Sequence, residues 1–229
     1  MLPFRHIGAP KPDQWVGLID AVYAIAMTVL ALLLPDMLSD SFKLFETTQK
    51  AHFLFIGFYQ VSFYLLTLLV LYEAWCFHRS ILVLSNSKNR KQNIYTGLML
   101  GIICLIPPWS GALFKDINIS HFWIEHKLYP TLGTFGWLLM FLMYFLLYLI
   151  GRSAEDYHAL PSLRLISKEA QNRSLFFALN TAFHAVRIVD KRWPFVPSVL
   201  ILAVYVLVSF NQDRVIGVLR RTPNTLRQR

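Results

Sequence analysis

The sequence predicts an all-α, polytopic membrane protein of six transmembrane helices with both termini cytoplasmic, and three observations lead there. Of its 229 residues 55% are apolar and only 15% are charged, against about 25% charged in an ordinary soluble domain. The apolar residues collect into runs near twenty residues long, about the length that crosses 30 Å of hydrocarbon as a helix. Finally, the basic residues alternate along the chain in the way that marks cytoplasmic loops. A β-barrel is excluded, because barrel strands alternate apolar and polar, whereas FLFIGFYQVSFYLLTLLVLYEAWCF (53–77) is apolar on every face.

The expected spans are about 15–35, 52–77, 93–114, 129–151, 174–189 and 193–211, forming one six-helix domain over 1–229. In the first, Asp13 suits the N-cap and Pro35 a stop. In the third, Pro107-Pro108 is expected to break or kink the helix, and Pro130 suits the first turn of the fourth. Trp15, Trp123 and Trp193 fall near span ends, where amphipathic rings prefer the interface. The fifth run, SLFFALNTAFHAVRIV, is short and carries Asn180, His184 and Arg187. Charge decides it: with six crossings, 15 of the 22 lysines and arginines fall on one side and 7 on the other, and the richer side is cytoplasmic. Were the fifth run not to cross, the arginines of the tail DRVIGVLRRTPNTLRQR would lie outside.

The opening MLPFRHIGAPKPDQ lacks a signal-peptide layout, so the first apolar run is expected to be retained. Cys76 and Cys104 both sit within apolar runs and imply no disulfide framework. A net charge of +9 would suggest nucleic acid for a soluble protein, but topology accounts for it here, so no nucleic-acid partner is expected. Membrane lipid is the expected partner. The tail alternates Val215, Ile216, Val218 and Leu219 with Arg214, Arg220 and Arg221, a pattern suited to an anionic inner leaflet.

Ionisable groups at membrane depth are costly and therefore functional candidates; here they are Asp20, Glu73 and His78. Asp20 lies seven residues past Asp13, about 10 Å along a helix, and needs a donor from a neighbouring helix. Trp75 and His78 on the second span are at comparable depth and could form an inter-helix clamp with it. Glu73 and His78, five apart, do not share a face, and HFWIEH (121–126) matches no zinc-protease pattern, so neither a metal nor another cofactor is expected. With no nucleophile elbow and no paired catalytic carboxylates, an enzyme has little support and is not expected. On the first span Leu18, Val22, Ile25, Val29 and Leu32 form one branched apolar stripe, with Thr28 beside it and Ala21, Ala24 and Ala31 on other faces. Repeated around a symmetry axis, the stripe would form a narrow ring that closes a pore by dewetting; otherwise it is a helix-packing face.

The segment DAVYAIAMTVLALLLPDM (20–37) resembles the start of the transmembrane protein 175 family, potassium-permeable channels of endolysosomes and bacteria. Asp20 and Ala21–Thr28 match the register of its Arg-x-x-x-Phe-Ser-Asp signature and the apolar run that follows. Trp75-Cys76-Phe77-His78-Arg79 is similar to the family's Trp-x-x-His-His, and LIPPWSGAL (105–113) to its Leu-Pro-Phe-x-Thr-x-Leu stretch. The resemblance covers about residues 14–115. The family's Arg, Phe and Ser fall on Gln14, Leu18 and Ile19, so the clamp on Asp20 is either rebuilt or lost. The resemblance implies a homotetramer in the plasma membrane with the first helix of each subunit lining one pore. Ile25 would form its narrowest ring, Val29 and Leu32 would continue it, and Thr28 would offer a hydroxyl. The permeant ion would be potassium, weakly preferred over sodium through partial dehydration at the constriction. Two rival readings stand beside this one: a non-conducting scaffold or regulator of the same fold, favoured by Gln14 and Ile19, and a proton-coupled transporter using Asp20, Glu73 and His78.

Overall fold

A computed structural model describes residues 12–48, 52–85, 90–119, 128–189 and 204–205. The described residues form five long helices: α1 (Pro12–Thr48), α2 (His52–Leu84), α3 (Arg90–Ile119), α4 (Leu128–Arg152) and α5 (Pro161–Val189). A single 3-10 turn, Glu155–Tyr157, joins α4 to α5. Four helices are long and apolar enough to cross a membrane, over Val16–Asp36, Gln60–Leu84, Arg90–Leu113 and Thr131–Arg152. The expected sixth span, 193–211, lies outside the described residues except for Val204 and Tyr205, which are helical. Trp123, Trp193, HFWIEH and the basic tail also lie outside them.

Helix α1 packs on α2 and α3, α4 packs on α3, and α5 lies along α4 and also reaches α2. The core runs through the facing sides, for example Ile19, Tyr23 and Leu30 of α1, Ile103 and Ile106 of α3, and Met143 and Leu147 of α4. In lipid the apolar exterior costs nothing, so these helices are held by close packing and by polar contacts rather than by the hydrophobic effect. Several polar side chains within the helices bond their own backbone one turn earlier: Thr67 Oγ1 donates to the Phe63 carbonyl at 2.9 Å and Ser167 Oγ to that of Leu163 at 2.8 Å. Such back-bonding satisfies those hydroxyls without a partner from another helix.

Close approaches need glycine at two places. A Cβ at Gly136 of α4 would lie 1.9 Å from Trp109 Cζ2 of α3, and the same indole donates from Nε1 to the Leu132 carbonyl at 2.8 Å. A Cβ at Gly151 would lie 2.0 Å from Ser167 Oγ of α5.

Several expected boundaries are corrected. Asp13 is not the cap of α1, because the helix already begins at Pro12, a residue preorganised for a first helical position. Pro35 does not stop α1, which continues to Thr48. A proline inside a helix frees the carbonyl four residues earlier, here that of Ala31, and both residues are on the exposed side, where no packed neighbour is displaced. Pro107 and Pro108 likewise fail to break α3. Helix α2 runs on past 77 to Leu84 because Ile81 and Leu82 still face the core. Helix α5 begins at Pro161 rather than near 174: Leu163, Ile166 and Ala170 give its first turns a buried face that average hydropathy does not register. Pro130 does lie in the first turn of α4, and Cys76 and Cys104 are both free thiols.

Candidate functional site

Helix α1 carries two apolar faces. One, at Ile19, Tyr23, Ala26 and Leu30, repeats at spacings of 4, 3 and 4 and is buried against its neighbours. The other comprises Leu18, Ile25, Val29 and Leu32, which are 47%, 62%, 39% and 69% exposed, while Val22 is half-buried. The small residues Ala21, Ala24 and Ala31 and the hydroxyl-bearing Thr28 are exposed as well, flanking this stripe rather than within it. Of the four apolar spans, α1 is the least buried within the subunit. Its outward face is therefore free for lipid or for another chain, and the alanines allow a close approach. Thr28 Oγ1 donates to the Ala24 carbonyl at 2.8 Å, which commits its proton and leaves oxygen lone pairs as the group it can offer an ion.

Asp20, between the two faces, is half-buried. Its Oδ1 accepts from Trp75 Nε1 of α2 at 2.7 Å, a short bond to an acceptor that carries charge when ionised. The Arg79 guanidinium lies over the same indole, 5.4 Å from its centroid, and the Tyr72 ring is 5.5 Å away. Carboxylate, indole and guanidinium thus join the end of α2 to α1. His78, the other expected partner, turns instead to Tyr23, with ring centroids 6.1 Å apart in a T-shaped contact. Both His78 nitrogens and the Tyr23 hydroxyl are buried without a hydrogen-bond partner among the described residues.

Of the signature positions, Ile19 is fully buried, Leu18 is on the exposed stripe, and the Gln14 side chain lies outside the described residues. The hydroxyl that the signature would place beside Asp20 is thus replaced by a core side chain.

Glu73 joins neither Asp20 nor His78. Its Oε1 accepts from Arg173 Nε at 2.9 Å and Nη2 at 2.7 Å. Its Oε2 accepts from Tyr144 Oη of α4 at 2.6 Å and from Tyr205 Oη. Arg173 Nη1 also pairs with Glu169 Oε2 at 3.0 Å, the two tyrosine hydroxyls are 2.7 Å apart, and the guanidinium lies 5.1 Å over the Phe77 ring. Asp20, Glu73 and His78 therefore occupy three separate environments, and no transporter relay links them among the described contacts. Arg173, Tyr144 and Tyr205 were not legible as site residues, since Arg173 falls just outside a hydropathic run and the tyrosines within such runs. The available signal was Glu73 itself, a carboxylate at membrane depth that requires a cation. Among the described residues no group of three or more His, Cys, Asp or Glu is placed to hold a metal ion.

A model of the family described as "Endosomal/lysosomal potassium channel TMEM175" matches residues 15–107. The match takes in most of α1, all of α2 and α3 as far as its first proline, and it supports the family resemblance read from the signature. No curated protein and no solved structure matches the chain.

Proposed function

We propose, from the family match over residues 15–107, that the protein is a potassium-permeable cation channel of the plasma membrane, assembled as a homotetramer with α1 of each subunit facing a central pore. The observation that carries this reading is the exposed stripe of α1, centred on Ile25, within the matched segment. Four such stripes meeting on an axis make an apolar constriction. Water leaves a narrow branched-aliphatic ring readily, so the ring is the gate, and an ion passes only when the ring widens and rehydrates. Ile25 makes the narrowest level. Val29 and Leu32 extend the apolar path by about 6 and 10 Å at 1.5 Å per residue. Thr28 contributes oxygen lone pairs beside the path. Potassium is preferred over sodium because its hydration shell is easier to strip, and the preference is weak because no carbonyl cage replaces that shell. The Asp20–Trp75 bond fixes the rotation of α1 about its axis, which decides whether Ile25 points to the axis or away from it. In this reading the chain performs no bond chemistry and needs no cofactor, both termini are cytoplasmic, and the basic tail rests on anionic lipid.

A second reading, a non-conducting scaffold of the same fold, is favoured by one observation: Ile19 fills a fully buried site beside Asp20 where the signature has a hydroxyl. Potassium flux into liposomes holding the purified protein, compared with sodium and with protein-free vesicles, separates the two. Flux favouring potassium supports the channel; no flux from folded, assembled protein supports the scaffold.

A further inference from the structure

Helix α5 does not meet the hydropathy expected of a membrane span, yet its packing has the length of one. It runs antiparallel to α4 in a register set by three contacts: Gly151 against Ser167, Tyr144 stacked on Phe177 at 5.4 Å, and Trp137 stacked on His184 at 5.7 Å. The α4 span Thr131–Arg152 is thus accompanied by α5 from about Ser167 to Val189, roughly 33 Å of helix at 1.5 Å per residue. The outward face changes character along it. Arg164, Lys168, Gln171 and Asn172 are exposed before Arg173, whereas Leu175, Leu179, Val186 and Ile188 are exposed after it. Arg173 lies at this change, about 8 Å inside the end of the α4 span by the same rise, with its side chain 8% exposed.

A guanidinium so placed opposes insertion unless it is paired. Glu73 of α2 receives its Nε and Nη2, the edge turned toward the bundle, while Glu169 takes Nη1 from one turn earlier on the same helix. Two carboxylates facing one guanidinium leave an excess negative charge, and the Tyr144 and Tyr205 hydroxyls offset it by donating to Glu73. We propose that the Glu73–Arg173 pair is what seats α5 across the membrane, so that this helix crosses only in partnership with a carboxylate of α2. The inference is independent of whether the protein conducts.

Topology mapping with a membrane-impermeant maleimide on intact cells tests it, using the full chain in a Cys76→Ala/Cys104→Ala background. Reporters are Ser87→Cys between α2 and α3, Ser120→Cys between α3 and α4, and Asp190→Cys after α5. If α5 crosses, Asp190→Cys labels on the same side as Ser120→Cys and opposite to Ser87→Cys. Adding Glu73→Gln is expected to lower that labelling of Asp190→Cys by about tenfold or more while Ser120→Cys still labels as before, which certifies an inserted chain. Glu169→Gln leaves Asp190→Cys unchanged, because Glu73 still neutralises Arg173. The triple variant Glu73→Gln/Glu169→Gln/Arg173→Met recovers the labelling, since it removes Arg173 together with both carboxylates that pair with it. The proposal is overturned if Asp190→Cys labels with Ser87→Cys in the parent, if Glu73→Gln leaves it unaltered, or if the triple variant fails to recover it.

Discussion

Replacing Trp75 with Phe removes the indole donor to Asp20 while keeping an aromatic ring beside Tyr72 and Arg79. The bond is 2.7 Å long and joins groups that are both half-buried. A hydrogen bond to a charged acceptor contributes about 1.5–3 kcal/mol, and the apolar surroundings offer the abandoned carboxylate little compensation. Trp75→Phe is therefore expected to cost about 2 kcal/mol, a factor near 30 in the folded-to-unfolded ratio. Asp20→Asn keeps an acceptor oxygen but loses charge assistance, which about halves the strength of such a bond, so it is expected to cost about 1 kcal/mol. Asp20→Ala removes the acceptor altogether. A double-mutant cycle of Trp75→Phe with Asp20→Ala isolates the pair, with an expected coupling of about 1.5 kcal/mol. The assay is unfolding in mixed micelles by added dodecyl sulfate, followed by far-ultraviolet circular dichroism. A coupling below about 0.5 kcal/mol, the scatter of independent sites, would refute the clamp and with it the argument that this bond sets the rotation of α1.

Ile25→Asn is expected to wet the constriction and raise resting potassium flux in liposomes several-fold, and Ile25→Ala to raise it by widening; equal flux in a conducting parent removes Ile25 from the gate. Gly136→Ala puts a methyl 1.9 Å from the Trp109 ring and endangers its bond to the Leu132 carbonyl, an expected loss of about 2–4 kcal/mol from overpacking and a lost hydrogen bond, read as a lower melting temperature in detergent. Restoring the signature hydroxyl with Ile19→Ser empties a fully buried site, so stability falls by about 2–4 kcal/mol as in other large-to-small core changes, and its effect on flux is to be compared at matched folded protein. Tyr144→Phe withdraws one donor from Glu73 and is expected to cost about 1–2 kcal/mol in the same unfolding assay, with the helices otherwise retained.

Much of the architecture was legible because the bilayer imposes a local rule. A run of apolar residues long enough to cross is visible in one dimension: the first, third and fourth expected runs coincide within about three residues with stretches long and apolar enough to cross, while the second is displaced by several. The same locality explains the errors. Pro35, Pro107 and Pro108 read as breaks because their cost is a property of the residue, whereas their tolerance depends on which side of the helix the freed carbonyl faces and on what packs there. Helix α5 read as a short run because averaging hydropathy over its first turns hides the repeat of Leu163, Ile166 and Ala170.

The sequence by itself determined the class of molecule, the apolar stripe of α1 and the need of Asp20 for a donor, since composition, periodicity and the cost of charge in lipid are all readable without a fold. The tertiary structure decided which donor it is. Trp75, 55 residues away, reaches Asp20 while His78 turns to Tyr23, a choice made by a few residues of rotation on one helix. It also decided that Glu73 serves Arg173 and Tyr205, 100 and 132 residues distant, rather than the nearer Asp20 or His78. Partner choice follows from which helix faces meet, and that is settled by packing over the whole bundle, where close approaches such as Gly136 on Trp109 and Gly151 on Ser167 set the register.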